Sequence, residues 1–216
     1  MDRIRIGRAG GWAGVLAGLT GLAAAVFLLA VPPAVDATLY NYPLSRTAFA
    51  VVQTLFCLHH LVMAWALWAF WTAGLAGAGR FAAVGAWSAI GTLTFLGIWE
   101  LVAISGSGLP YPSEQTGWLD AGYGIASLAV GVGLVLLGVA AVRAGILTGV
   151  ERWSVLVTGI YVFVPMTPGI MAGFVIGRIV IGVWLLLFAG IGWAMLAWAR
   201  RANAAEGPVT GAAAVR

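Results

Sequence analysis

Six apolar stretches leave this chain few options: Gly11 to Val31, Thr47 to Trp71, Phe81 to Ile104, Leu119 to Val142, Arg152 to Val164 and Gly169 to Trp198. A helix that crosses a bilayer takes about 20 apolar residues. Inside hydrocarbon a backbone must satisfy its own hydrogen bonds, so runs that lack polar/apolar alternation are read as α-helices and not as strands of a membrane barrel. The sequence predicts an all-α fold, a polytopic transmembrane helical bundle of about six spans. The fifth run is short, so its span is expected to reach into the Pro165 to Pro168 break, which itself reads as a tight hairpin between the last two spans.

Composition closes the other routes. Hydrophobic residues make up 62% of the chain and charged residues 8%, with a mean hydropathy of +1.02. A soluble domain carries about 25% charged residues, and a disordered one needs low hydrophobicity and high charge. One domain, residues 1–201, is expected to hold the spans, and residues 202–216 to form a short flexible cytoplasmic tail. The apolar core of the first run, about 20 residues, exceeds the 7–15 of a cleavable signal, so it reads as a retained anchor.

The net charge of +4 does not point to nucleic acid, because no basic cluster exists beyond Arg3, Arg5 and Arg8. Basic residues instead report topology. Arg3, Arg5, Arg8, Arg80, Arg143, Arg152, Arg200, Arg201 and Arg216 fall on one side of the six-span arrangement and Arg46 on the other. The positive-inside rule then places both termini in the cytoplasm. Pro32, Pro33, Pro43, Pro110, Pro112, Pro165 and Pro168, with Tyr40, Tyr42 and Tyr111, collect on the opposite face, where Asp36, Glu114 and Asp120 would join them in a small cap. Trp12, Trp71, Trp153 and Trp198 mark the inner boundary and Trp118 the outer one, as aromatic belts do. The expected location is a cell membrane of the bacterial inner-membrane type, with the lipid bilayer as first partner.

Helices in lipid associate by close backbone approach, which small residues four apart permit. Gly10, Gly14 and Gly18 make one such ridge, and Gly169, Gly173 and Gly177 a second at the start of the sixth span. Both are read as packing surfaces, with a homo-oligomer or another membrane protein as a lesser use.

Ionisable groups within spans are costly and so become functional candidates. Here they are His59, His60, Glu100 and Arg178. Counting the helical rise from the ends of the apolar runs puts Glu100 and Arg178 about 6 Å below the outer boundary, Gln53 about 9 Å and His60 about 20 Å. Glu100 and Arg178, matched in depth and opposite in charge, are expected to pair, with Gln53 in reach. Gln53, Cys57, His60 and Ala64 share one face of the second span, with His59 turned about 100° away. Thr92, Thr94 and Tyr161 come out level with His60 as possible hydrogen-bond partners.

No metal and no cofactor is expected. A single cysteine, Cys57, excludes a CxxC motif and an internal disulfide, and two adjacent histidines on one helix cannot both ligate one haem. A zinc site from Cys57, His60 and Glu100 would be strained by the depth difference of about 14 Å between His60 and Glu100. No nucleotide, hydrolase or metalloprotease motif occurs. The chain reads as a nonenzymatic bundle that binds or moves a small amphiphile or lipid, or serves as an accessory subunit. The alternatives are a membrane-embedded enzyme using Glu100 and Arg178 with His60, and a redox or haem protein using His59 or His60.

Overall fold

The computed structural model describes residues 3–205. It contains six helices long and apolar enough to cross a membrane. Four are continuous: α1 (Arg3–Ala30), α2 (Arg46–Thr72), α3 (Arg80–Ala103) and α4 (Glu114–Ala144). The fifth, Gly149–Met171, is composite. It joins a 3-10 turn at Gly149–Trp153 to α5 (Ser154–Tyr161), a π-helical turn at Val162–Met166 and α6 (Thr167–Met171). The sixth is α7 (Phe174–Ala205). Because α7 runs to Ala205, residues 202–205 are helical, and the rest of the expected tail lies outside the described residues.

Local chemistry sets the helix limits. Ser45 caps α2 by accepting from the amide of Ala48, as a hydroxyl at this position does for one of the unpaired first-turn amides. Gly145 closes α4 at φ 64°, its amide bonded to the Ala141 carbonyl, in the left-handed conformation that favours glycine.

The fifth span corrects the expected hairpin at Pro165 to Pro168. Pro165 lies inside the span, within the π turn, and Pro168 starts α6. Proline has no amide to continue the helical ladder, and the chain widens by one residue at that point. The amide and the hydroxyl of Thr167 both bond the carbonyl of Val162, the hydroxyl at 2.7 Å. The reversal comes later, at Gly173, which has φ +110°. For the same reason Gly169, Gly173 and Gly177 form no helical ridge: they fall on α6, in the turn and on α7 respectively.

The ridge on α1 does form. A Cβ on Gly14 would stand 3.0 Å from the Cα of Gly192, and one on Gly18 would stand 2.6 Å from both the Leu185 carbonyl oxygen and the Ala189 amide. Gly10 faces Ala69 on α2 and Met195 on α7. These glycines are used inside the chain, which leaves that face closed to a second copy.

Each span packs on its neighbours in sequence, and α1 closes the ring against α7 in the most extensive interface of the bundle. At the end of the ring holding the described termini, the centre is filled by Met63, Leu67, Phe70, Leu134, Phe188 and Met195, all fully buried. That end also carries the basic residues Arg80, Arg143, Arg152, Arg200 and Arg201, the last bonded to both carboxyl oxygens of Glu151. Over the other end lies a cap made of residues 31–45 and 107–113. Its two segments are tied by Tyr40 amide to Leu109 carbonyl (3.0 Å), Tyr111 amide to Thr38 carbonyl (2.7 Å) and Gly108 amide to the fully buried Asn41 side chain (2.8 Å). Among the described residues no strand forms; an isolated bridge joins Leu39 to Pro110.

Candidate functional site

Under the cap the ring is hollow. A cavity of about 440 Å³ is walled by α1, α2, α3, α4, the composite fifth span and α7, within the range of small-molecule sites. Most of its wall is apolar, with Leu28, Phe56, Leu96, Val130 and Ile181 among the lining residues. The polar groups are few and they converge.

Glu100 sits at their centre. It is a buried residue of α3, and its Oε2 accepts from Gln53 Nε2 at 2.8 Å and from the Tyr123 hydroxyl at 2.6 Å. Gln53 Nε2 also lies 3.1 Å from the Tyr123 oxygen, which closes a triangle across α2, α3 and α4. Such a triangle satisfies the donors of two helices with one carboxyl oxygen, as a buried polar group requires. The other oxygen, Oε1, has no hydrogen bond among the described residues; His60 Nδ1 stands 3.8 Å from it.

Both histidines line the cavity. A carbonyl can only accept, so each contact to a carbonyl fixes a ring proton. His60 Nδ1 donates to Phe56 O at 2.8 Å, which leaves Nε2 free to accept. His59 Nε2 donates across to Ala17 O on α1 at 2.7 Å. The rings stand edge to face, 5.9 Å apart.

The proximity of His60 to Glu100 corrects the estimated depth difference of about 14 Å, which assumed that both spans end in one plane. A Cβ on Gly97 would lie 3.1 Å from Cys57 O and 3.4 Å from His60 Cβ, so these residues are level. From that level α2 continues to Arg46 and α3 stops at Ala103, an overhang of about 8 Å on the cap side. The rest of the discrepancy is taken up by the lengths of the two side chains.

Arg178 lies on the second turn of α7 and also lines the cavity, but it forms no direct ion pair with Glu100. Its guanidinium stands over the Phe174 ring, 5.2 Å from the centroid. The expected pair is thus two opposite charges facing one hollow, with Gln53 and Tyr123 holding the carboxyl group. Thr92 and Thr94 are not partners of His60, since their hydroxyls bond the Ser88 and Ile90 carbonyls of their own helix. Cys57 is buried beside Gly97 and does not line the cavity.

Sequence reasoning missed Tyr123 and Trp184, and it placed Tyr40, Tyr111 and Asp120 in the cap without a role at the site. A signal was present on α4: Asp120, Tyr123, Ser127 and Val130 recur at three, four and three residues and all face the cavity. Trp184 donates to Thr158 O at 3.2 Å, which pins the fifth span to α7 beside the site. Near the cap, burial and the charge of Asp120 push the Tyr111 hydroxyl above its ordinary pKa, and burial does the same to Tyr40.

Among the described residues no three His, Cys, Asp or Glu side chains cluster so as to hold a metal ion. Comparison of the chain with family models, with curated proteins and with solved structures finds no match.

Proposed function

We propose that this chain is a multi-pass membrane protein that binds a small amphiphilic molecule in the cavity beneath its cap. One observation carries the reading: a hollow of about 440 Å³ with apolar walls gathers Glu100, Gln53, Tyr123, His60 and Arg178 onto its surface. Few, convergent polar groups within an apolar wall are what a molecule with a polar head and an apolar body needs. The exterior of the bundle supports the membrane setting, since Trp12, Val51, Leu58, Ile125 and Trp193 are exposed around it. The gathering of Arg at the end opposite the cap supports an orientation with both termini in the cytoplasm and the cavity in the outer half.

The test is retention of a small molecule through purification in mild detergent, read by native mass spectrometry. A bound species is expected with the parent protein and is expected to be lost from Ser127→Phe, which fills the cavity from α4. Repeated absence of any bound species from the parent protein counts against the reading.

A second reading, an enzyme that acts on the bound molecule, is favoured by the apposition of His60 and Glu100 at 3.8 Å. His60, with Nε2 free to accept, and Glu100 both line the cavity, and each can exchange a proton with a molecule held there. Chemical change of the retained species on incubation, abolished by His60→Gln, separates this reading from simple binding.

A further inference from the structure

We infer that the cavity takes an amphiphile with a zwitterionic head group, its acid group on Arg178 and its ammonium on the open oxygen of Glu100, and that its tail leaves between α1 and α2. The inference rests on the amphiphile reading above and specifies its ligand.

Arg178 offers five N–H donors. None meets an acceptor within hydrogen-bond distance among the described residues, and the guanidinium lies over the Phe174 ring. A partly buried cation in the wall of a largely apolar hollow, with no acceptor in reach among the described residues, is stabilised by an acceptor that a ligand brings to it. A planar guanidinium takes a phosphate or a carboxylate through paired hydrogen bonds.

Glu100 is spent on one side only. Gln53 and Tyr123 both use Oε2, and the proton of His60 Nδ1 is committed to Phe56 O. Oε1 therefore faces the hollow as an acceptor with no donor. A simple anion would satisfy Arg178 and be repelled by Glu100; a simple cation would do the reverse. A head that carries both groups answers both.

The tail has a route. A second, apolar groove of about 430 Å³ lies between α1 and α2 on the outside of the bundle, lined by Phe27, Leu28, Val52, Leu55 and Phe56 among others. Leu28 and Phe56 line both spaces. The groove and the cavity share that wall of Leu28 and Phe56, and a single groove beside the head-group site fits a single chain.

The experiment is calorimetric titration of the full chain in a neutral maltoside detergent. The probes share one alkyl length: a single-chain phosphoethanolamine lipid, a long-chain α-amino acid, a single-chain phosphoglycerol lipid, an alkyl phosphate and an alkylamine. At least one of the two zwitterions is expected to bind about tenfold or more tightly than the last three, the size of one charged hydrogen bond. Which zwitterion leads tells phosphate from carboxylate. Arg178→Gln should reduce the zwitterion to the level of the alkylamine, and Glu100→Gln to the level of the alkyl phosphate. If the alkyl phosphate or the phosphoglycerol lipid binds the parent protein as tightly as the zwitterions, the zwitterionic head is wrong and the amphiphile reading stands. If no probe binds and nothing is retained through purification, both fall. The ranking on the parent protein needs no variant, so a variant that fails to fold does not blunt the test.

Discussion

His60 holds Nδ1 3.8 Å from Glu100 Oε1 while donating that nitrogen's proton to the Phe56 carbonyl at 2.8 Å. The two groups are neighbours without being bonded. Glu100 ties three helices through Gln53 and Tyr123, whereas His60 ties only its own. Glu100→Ala, which strips the acceptor from two donors, is expected to cost about 1–3 kcal/mol. His60→Gln is expected to cost under about 1 kcal/mol, the value of one local hydrogen bond. Denaturant unfolding of both variants in mixed micelles checks the order; equal losses would mean that the triangle contributes nothing.

Glycine on α1 matters by position. Gly18 lies against the backbone of α7, where a Cβ would stand 2.6 Å from Leu185 O, while Gly190, itself on α7, has nothing within 4 Å of where a Cβ would sit. Gly18→Val should destabilise by about 1–3 kcal/mol as an overpacked contact. Gly190→Val should stay within about 0.5 kcal/mol. Thermal melts of the two variants side by side make the comparison.

Alkali should loosen the cap before the rest of the bundle. Tyr40 and Tyr111 both have pKa values raised above the ordinary 10.0, burial being the larger cause and the charge of Asp120 the next. A phenol whose pKa is raised by folding binds its proton more tightly folded than unfolded. Its contribution is present in full below pH 10.0 and is lost as pH rises above that. Phenolate absorbance and proteolysis within residues 31–45 are expected to rise together above that pH, and Tyr111→Phe to remove part of the dependence. Cleavage that precedes any phenolate signal would break the link.

Orientation has a direct measurement. In a Cys57→Ala background, Ala34→Cys in the cap is expected to react with an impermeant maleimide added to intact cells, and Ala78→Cys at the other end only after permeabilisation. Both positions are exposed. The reverse pattern would put the cavity in the inner half of the membrane.

The helices were legible because the length of an apolar run fixes what can cross a bilayer, and the distribution of Arg and Pro separated the two ends without reference to packing. Depth was less legible. Counting inward from the edges of apolar runs assumes that all spans end in one plane, and α2 overruns α3 on the cap side. That error separated His60 from Glu100, which lie side by side. Gln53 was in reach of Glu100 as expected, but Tyr123 was overlooked because its stripe on α4 mixes a carboxyl group, a phenol, a hydroxyl and an aliphatic chain. The π turn was hidden because Pro165 and Pro168 suit a hairpin as well as a widened helix. Which of these they make depends on Thr167 reaching Val162, a contact no spacing rule reveals.

The glycine seam between α1 and α7 bears on how the protein is made. In chain order four other spans separate α1 from α7, so the line of Gly11, Gly14 and Gly18 is made well before the surface it rests against. A chain cut short before Phe174 would hold an open horseshoe with a bared glycine edge in place of a ring. The wall that carries Arg178 and Trp184 follows the other five in the chain, so the hollow is enclosed only when α7 closes the gap.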